Sequence, residues 1–370
     1  MTETPQAPAA GLTAGVTGAA GLAGSAGLAG SAGLAGPAGV DGPAGVGPAG
    51  AGLLGDHPWL RFATRRLGQL LISALVLVTA SFLVIHLVPG DPVRASLGLA
   101  APQELVNARR AQLGLNAPLW LQYARYLRNL FSGQLGTSID SGLPVSQVIG
   151  QRLPATLELA GYSFLVAVLV AVPVGLALGV LTRNGRRRGL ELAATTGSVV
   201  IAAVPGFLLA VGLIYVFGVT LHWVPVAGQS GFTSYLLPIA AMALGPIAVL
   251  VRILRLEVLA ALRADYVRTA RAKRLPHWRV NLLHVLPNAL TATLTIGGLL
   301  LSAMVAGTVL VENVFAWPGL GQTIVSSIIA KDYPVVQGIV LVYGTGVLLV
   351  NLIVDVALAL LDPRSTIREG

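Results

Sequence analysis

Six apolar stretches, each close to the length of a membrane-spanning helix, constrain this chain more than any other feature of its sequence. The hydrocarbon core of a bilayer is about 30 Å thick, and a helix needs roughly 20 apolar residues to cross it. Hydrophobic residues make up 55% of the 370 residues and charged residues only 11%, well below the share that is typical of soluble domains. We therefore expect an all-α membrane protein with spans at 68–88, 155–181, 197–219, 235–251, 289–311 and 335–361.

The first 57 residues differ in composition from the rest and are rich in glycine, alanine and proline. A glycine-rich chain without a sustained apolar run cannot offset the conformational entropy that it would lose on folding. The segment contains no Lys or Arg, so it does not match a standard secretory signal. We expect residues 1–57 to form a disordered tail and residues 58–370 to form the membrane domain.

The positively charged residues predict which ends of the spans face the cytoplasm, because short cytoplasmic loops carry an excess of Lys and Arg. Of the 24 Lys and Arg residues, 17 fall on one side of a six-span topology, whereas loops 220–234 and 312–334 on the other side contain only Lys331. Both termini are therefore expected to be cytoplasmic, and the net charge of +9 reflects topology rather than nucleic-acid binding. The 17 residues are Arg61, Arg65, Arg66, Arg183, Arg186, Arg187, Arg188, Arg252, Arg255, Arg263, Arg268, Arg271, Lys273, Arg274, Arg279, Arg364 and Arg368.

Residues 89–154 form a long segment on the outward side. Loops of this length cross the membrane regardless of their charge, so the arginines within it do not conflict with the topology. Its stretches 103–113 and 119–131 look helical, and the second interleaves aromatic residues with Arg125 and Arg128. We expect an extracytoplasmic lobe over the outer mouth of the bundle. Structural packing and the docking or gating of an external partner remain two open roles for it.

The longest inward loop, residues 264–288, is the most informative segment for function. It reads DYVRTARAKRLPHWRVNLLHVLP from residue 265, which predicts a short helix ending near Pro276 because proline disfavours helix in the residue before it. Ala270 and Ala272 would let a partner approach closely, and the surrounding basic residues offer charge-assisted contacts. A basic amphipathic helix lying on anionic lipid would explain the same residues.

This loop resembles the EAA loop of binding-protein-dependent ABC importer permeases, in which small residues precede a glycine and, later, a hydrophobic-x-Leu-Pro. Thr269-Ala270-Arg271-Ala272 matches the first part and Val285-Leu286-Pro287 matches the closing part. The whole of 61–368 is similar to dipeptide and oligopeptide permeases, a branch that includes nickel permeases. Further matching blocks follow in order: VPGDP at 88–92, GQLGTS at 133–138, RLPATLEL at 152–159, VPGF at 204–207, ENVFAWPGLG at 312–321 and LDPR at 361–364.

The resemblance implies the six-helix fold of type I ABC importer permeases and a chain of the first-permease type. It implies that a second, homologous permease completes the translocation path, and that one or two cytoplasmic ABC ATPase subunits bind ATP and Mg. An extracytoplasmic substrate-binding protein would deliver the cargo, which could be dipeptides, longer peptides, nickel or peptide-like conjugates. Residues 264–276 would form a coupling helix, with the ATPase contacted by Asp265, Tyr266, Arg268, Thr269, Ala270, Ala272, Lys273 and Arg274.

Arg274 departs from the family pattern, which has glycine at this position. Glycine suits a left-handed conformation at the end of a helix, and that conformation costs another residue energy. We therefore expect the helix to continue past Arg274 and to end at Leu275-Pro276. The charge of Arg274 would then lie favourably near the helix C-terminus.

Four polar residues in or beside the spans are candidates for the translocation path. Glu158 opens the second span and Glu312 closes the fifth, while Asn351 and Asp355 lie one turn apart on one face of the sixth. An aspartate at the bilayer centre costs about 2.5–3.5 kcal/mol and less toward the end of a span, so packing against a neighbouring helix explains Asp355 as well. His86 is expected to make an interfacial hydrogen bond rather than to contact substrate.

The sequence carries no recognisable catalytic motif: it lacks a P-loop, an H-E-x-x-H helix and a G-x-S-x-G elbow, and it contains no cysteine. An intramembrane hydrolase would need paired groups at one depth, and His86 and Asp355 are predicted near opposite membrane faces. An ion-gradient transporter would not need the basic loop with its Ala-x-Ala helix. We expect a multi-pass transport subunit of the plasma membrane with no cofactor or metal of its own.

Overall fold

The computed structural model describes residues 58–87, 92–97, 101–112, 114–185 and 187–361. Within these ranges every extended regular element is a helix. The predicted tail at 1–57 and the last three residues of the LDPR block lie outside the described part of the chain. The helices are α1 (Pro58–Leu87), α2 (Pro92–Leu97), α3 (Gln103–Gln112), α4 (Leu119–Phe131), α5 (Val145–Leu181), α6 (Arg188–Ala203), α7 (Gly206–Leu213), α8 (Thr233–Ala261), α9 (Asp265–Ala272), α10 (His277–Val280), α11 (Leu286–Val314), α12 (Leu320–Ile329) and α13 (Tyr333–Leu361).

The long apolar helices match the predicted spans. By length and composition, α1, α5, α8, the run His277–Val314 that contains α11, and α13 are each able to cross a membrane. The pair α6 and α7, with the π-helical turn Ile214–Thr220 that follows, adds a sixth span if it is counted as one. The expectation of an all-α membrane domain is therefore confirmed.

The third predicted span, 197–219, is not one straight helix, because α6 and α7 meet at 96°. Val204 is extended (φ −82°, ψ 122°) and Pro205 follows with φ −56° and ψ 137°. A residue before proline avoids helical angles, and proline has no N–H with which to continue the helical ladder. Pro173 and Pro246, in contrast, lie inside the continuous helices α5 and α8.

The centre of the bundle is formed by α5, α8 and α11, and α1 lies against α13. Small residues allow the central helices to approach closely, as is usual in membrane bundles. At Gly179 of α5, an added Cβ would lie 2.5 Å from a methyl group of Val258 in α8. Gly298 of α11 meets Val354 of α13 in the same way. Glycine is therefore required at these positions for the helices to pack as they do.

Loops that the topology assigns to the outward side contact one another at one end of the bundle. The backbone N–H of Gly228 donates to the carbonyl of Phe315 (2.8 Å). The buried carboxylate of Asp332 accepts hydrogen bonds from the Ser138 hydroxyl and from the backbone N–H of Ile139 at 3.0 Å. The lobe and loops 220–234 and 312–334 therefore share one end of the molecule.

The opposite end is held together by a buried arginine. The Nε of Arg255, from α8, donates to the hydroxyl of Thr182 at the end of α5 (3.1 Å). Its guanidinium also pairs with Glu191 in the first turn of α6 (2.7 Å). This end carries the basic loop, so the two sets of loops separate as a six-span topology requires.

The lobe packs on the outer part of α1 through aromatic rings. Phe82 of α1 lies 5.1 Å from Tyr123 and 5.7 Å from Tyr126 of α4, measured between ring centroids. The hydroxyl groups of Thr79 and Tyr123 are 2.8 Å apart. The second span helix starts inside the range predicted for the lobe, because α5 extends back to Val145.

Candidate functional site

The helix α9 is amphipathic, and its apolar face belongs to a cluster that includes residues of three spans. Val267 and Ala270 are buried, and they contact a cluster of apolar residues from the ends of α5, α8 and α11. Because their side chains lie on one face of a two-turn helix, that face is fixed to the bundle. The cluster includes Val172, Leu176, Val180, Leu254, Val258, Leu262, Val280, Val285 and Ala289.

The exposed residues of α9 and of the turn that follows it include seven of the eight residues predicted to contact an ATPase. Ala270 is the exception, because it lies in the buried cluster with 6% of its surface exposed. Residues two positions apart project to nearly opposite sides of a helix. Of the two alanines expected to allow a close approach, only Ala272 is therefore at the surface. The exposed residues are Asp265, Tyr266, Arg268, Thr269, Ala272, Lys273 and Arg274.

The predicted end of α9 is wrong. The helix ends at Ala272, and Arg274 has a left-handed backbone with φ +55°. The N–H of Arg274 bonds to the carbonyl of Arg271 (2.9 Å), and the N–H of Leu275 bonds to that of Ala270 (3.5 Å). These two bonds form the Schellman motif, in which the left-handed position is usually glycine. The chain therefore has an arginine in the left-handed backbone conformation that glycine usually occupies in this motif.

Leu275 explains why this geometry persists without glycine. Its side chain packs against the same apolar cluster as Val267 and Ala270, which is the hydrophobic contact that often accompanies a Schellman motif. Continuing the helix through Arg274 would move Leu275 off this contact. The packing of the partly buried Leu275 therefore outweighs the cost of a left-handed arginine, which is on the order of 1–2 kcal/mol.

The exposed surface beside α9 is basic and aromatic. Tyr266 is 43% exposed and Trp278, at the start of the next helix, is 63% exposed. Arg268 is paired only loosely with Asp265, at 3.6 Å in full solvent, a pair that contributes little to stability. Aromatic residues and arginines dominate the binding energy of protein interfaces. We name the exposed residues Tyr266, Arg268, Ala272, Arg274 and Trp278 the α9 surface.

Trp278 was not among the residues predicted for this site. In the sequence, Trp278 and Arg279 lie shortly after Pro276, within the basic loop. A large aromatic residue next to a helix break in a charged loop was the available signal, because such residues are common in interfaces.

The charge of Arg271 is held close to a second arginine. Burial lowers the pKa of Arg271 from its ordinary value, and the positive charge of Arg183 lowers it further. Arg183 belongs to the turn between α5 and α6. Arg271 in the last turn of α9 is therefore close enough to Arg183 for the two positive charges to repel each other.

The four polar residues predicted for a translocation path do not lie together. Glu312 is fully buried, and its carboxylate accepts hydrogen bonds from the backbone N–H groups of Gly321 (2.6 Å) and Gln322 (3.4 Å). Its carboxylate thus accepts hydrogen bonds from backbone N–H groups in the first turn of α12, where a negative charge is favourable. This carboxylate also lies against Gly319 and Gly321, where any Cβ would collide with it.

Asn351 and Asp355 contact neighbouring helices. The hydroxyl of Ser302 on α11 donates to the side-chain oxygen of Asn351 (2.7 Å). The carboxylate of Asp355 forms two contacts with the guanidinium of Arg66 on α1, at 2.9 and 3.0 Å. Both residues therefore connect α13 to other helices. The side chain of His86 lies outside the described part of the structure.

Glu158 is the one exposed member of the predicted set. Its carboxylate accepts hydrogen bonds from the hydroxyl of Tyr235 (2.8 Å) and from the amide of Gln229 (3.5 Å). Tyr162 lies one turn further along α5 and is 49% exposed. Within the described ranges, no group of three or more His, Asp or Glu residues is arranged to hold a metal ion.

Comparison with protein families identifies the class of protein. Residues 59–160 match the family described as binding-protein-dependent transport system membrane component, N-terminal. Residues 171–367 match the binding-protein-dependent transport system inner membrane component family. The chain therefore belongs to the family of binding-protein-dependent transport system inner membrane components, and the resemblance found in the sequence is confirmed.

Curated relatives align with nearly their whole length. A putative peptide transport system permease of Brucella suis biovar 1 (strain 1330) is 37% identical over 308 residues, covering 81% of this chain and 97% of the relative. A probable D,D-dipeptide transport system permease of Escherichia coli (strain K12) is 37% identical over 335 residues, covering 83% and 97%. A glutathione transport system permease of Salmonella typhimurium (strain LT2) is 37% identical over 305 residues, covering 82% and 98%.

A solved structure supports the fold. The inward-facing MetNI methionine ABC transporter contains a chain that superposes with a TM-score of 0.51 at 18% sequence identity. The match covers 59% of this chain and 97% of that chain. This protein is accordingly a multi-pass membrane permease subunit with the ABC importer fold.

Proposed function

We propose that this chain forms half of the translocation pathway of an ATP-driven importer of peptides. The family assignment supports the importer class, and three relatives named as peptide, D,D-dipeptide and glutathione permeases support a peptide-like cargo. A second, homologous permease would complete the pathway. Nickel or another peptide-like solute is the alternative cargo, because the branch that the sequence resembles includes nickel permeases.

The observation that carries this proposal is that α9 has one face buried against the bundle and another face exposed to solvent. Its buried face belongs to an apolar cluster that also contains residues of α5, α8 and α11, so a displacement of α9 would be transmitted to these spans through the cluster. Its other face presents basic and aromatic residues to solvent. A motor subunit that binds the α9 surface could therefore convert the energy of ATP hydrolysis into movement of the bundle.

The partners follow from this arrangement. One or two cytoplasmic ABC ATPase subunits would bind ATP and Mg and dock on the α9 surface. An extracytoplasmic binding protein would deliver the cargo to the lobe end. Both chain termini would then be cytoplasmic in the plasma membrane, which the concentration of Lys and Arg at the α9 end supports.

The test is uptake by the complete importer in vesicles, with dipeptide and Ni²⁺ as competing cargoes. We expect dipeptide uptake to depend on ATP and to be unaffected by added Ni²⁺. Ala272→Glu should reduce both uptake and cargo-stimulated ATP hydrolysis at least about tenfold, because a charged side chain at a docked surface must be desolvated. Correct membrane insertion should survive, since Ala272 is exposed.

A matched control separates docking from a general effect of substituting Ala272. Ala272→Ser keeps a small side chain at this exposed position and should leave uptake unchanged. Uptake that persists after ATP depletion would refute the proposal in favour of an ion-gradient transporter. Normal uptake by Ala272→Glu would refute the coupling role of the α9 surface.

A further inference from the structure

Four side chains from three segments meet at the lobe end of the bundle. Glu158 and Tyr162 belong to α5, Tyr235 belongs to the first turn of α8, and Gln229 precedes α8. Tyr235 and Gln229 both donate to Oε2 of Glu158, at 2.8 and 3.5 Å. The ring of Tyr162 lies edge-on to that of Tyr235 with centroids 6.0 Å apart. We name these four residues the outer cluster.

The outer cluster rests on a rigid support. Tyr235 packs against Trp317 with ring centroids 4.6 Å apart. Trp317 is fully buried, and its indole N–H donates to the carbonyl of Ala155 (3.1 Å). This contact connects the outer cluster to the loop after α11 as well as to α5. The Tyr235 ring is therefore held in one orientation before any ligand arrives.

The negative charge of the outer cluster has no partner among the described residues. No Lys, Arg or His nitrogen of the described chain forms an ion pair with Glu158, whereas Asp355 and Glu191 each have an arginine. The second oxygen, Oε1, accepts no hydrogen bond from the described residues. Glu158 is exposed, and so is about half of Tyr162. An open carboxylate oxygen thus lies beside an open aromatic ring.

A carboxylate at the end of an apolar span is costly against lipid and usually faces a water-filled cavity. Carboxylate oxygens form strong charge-assisted hydrogen bonds with ammonium groups. The faces of tyrosine rings attract the same cations. The combination selects a primary ammonium group over a neutral amide or an anion.

We infer that the outer cluster binds the ammonium group of the cargo, the free amino terminus of a peptide, as the cargo enters the bundle. The inference rests on the proposed function for the identity of the cargo. Oε1 of Glu158 would accept a hydrogen bond from the ammonium group, and Tyr162 would cover its other side. The cluster would thereby discriminate between free and blocked amino termini after release from the binding protein.

The absence of cysteine from the sequence makes a direct test possible. Gly161 lies three residues after Glu158 on an exposed part of α5, with open space around an added Cβ. Gly161→Cys therefore places the only thiol of this chain beside the outer cluster. In the assembled importer, the reaction rates of this thiol are compared for a trimethylammonium methanethiosulfonate and a sulfonate methanethiosulfonate.

We expect both reagents to react with the Gly161→Cys thiol. The cationic reagent should react about tenfold faster when Glu158 is present than when Glu158→Gln is added, because the carboxylate attracts the approaching cation. Tyr162→Leu should weaken this preference severalfold. Glu104→Gln, which removes an exposed carboxylate from α3 in the lobe, should leave it unchanged. A thiol that reacts with neither reagent would place the outer cluster against lipid and overturn the inference. A preference that survives Glu158→Gln would overturn it as well.

The source of the ammonium group is tested by protection of the same thiol. A dipeptide with a free amino terminus should slow the reaction, and its Nα-acetylated form should not. The importer is reconstituted with and without phosphatidylethanolamine, whose headgroup carries the same chemistry. Protection by this lipid and not by the dipeptide would overturn the cargo assignment.

These outcomes are distinguishable from failure of the proposed function. The charge preference of the Gly161→Cys thiol is measured without cargo and does not depend on peptide transport. If the importer takes up no peptide but the preference depends on Glu158, the proposed function fails and the ammonium site stands with another amine as its ligand. If peptide uptake is normal but the preference is absent, the inference fails and the function stands.

Discussion

The backbone of Arg274 is left-handed at the end of α9, a conformation that an arginine normally avoids because of its Cβ. The left-handed turn persists because the partly buried side chain of Leu275 packs against the cluster beneath α9. The family pattern identified residue 274 as the position where glycine is usual. Whether Arg274 is helical or left-handed depends on contacts between segments that are distant in the sequence.

Arg274→Gly should stabilise the end of α9 by about 1–2 kcal/mol, because glycine adopts the left-handed conformation without the strain that a Cβ causes. Arg274→Ala removes the same charge and keeps the strain, so it serves as the matched control. Hydrogen exchange of the backbone amides of α9 measures the difference. Slower exchange in Arg274→Gly than in Arg274→Ala is expected, and equal exchange in the two variants would contradict the strain.

Ala270 and Ala272 lie on different faces of α9, and the matched motif does not distinguish between them. Both residues belong to the matched motif, and the motif alone gave them one role. The helical period places them on nearly opposite faces, and the structure buries Ala270 and exposes Ala272. The assignment of each face required knowledge of which residues of α5, α8 and α11 lie beneath the helix.

Among the elements, the long spans were predictable and the irregular one was not. Five apolar runs form helices near their predicted positions because the length and hydropathy of a span are set by the bilayer. The third run contains Val204-Pro205, where the helix breaks by 96°. Proline is present in continuous spans as well, so its presence does not predict a break. Whether neighbouring helices replace the lost hydrogen bond decides the outcome.

The contact between α1 and α13 accounts for Asp355. Its pairing with Arg66 at 2.9 and 3.0 Å is the geometry of a bidentate ion pair. The two residues are far apart in the sequence, so the partner of Asp355 could not be predicted from the spacing within its own span. The alternative that Asp355 packs against a neighbouring helix is the one that this geometry supports.

Asp355→Asn should destabilise the permease by about 1.5–3 kcal/mol, because hydrogen bonds to charged groups contribute this much and Arg66 would lose its partner charge. The KM for cargo should not change. The charge swap Arg66→Asp with Asp355→Arg should recover part of the loss, which thermal unfolding in detergent measures. A changed KM with unchanged stability would instead indicate contact with cargo.

At the scale of the whole molecule, charge and contacts agree on two distinct ends. Lys and Arg concentrate at the end where Arg255 connects α8 to the end of α5 and to α6. The lobe and the two loops with few basic residues contact one another at the other end. The sequence predicted this separation because topology depends on local charge. It did not predict the outer cluster, which brings α5, α8 and the loop before α8 together.

The central claim is that the α9 surface lies in the cytoplasm and is held by an ATPase. Ala272→Cys provides the only thiol of this chain at the centre of that surface. Cross-linking of this thiol in inside-out vesicles of the assembled importer tests the claim most directly. We expect a cross-link to the ATP-hydrolysing subunit, and reaction with membrane-impermeant reagents from the cytoplasmic side alone. A thiol that reacts only from outside, or that forms no cross-link to an ATPase in a transporting complex, would contradict the account.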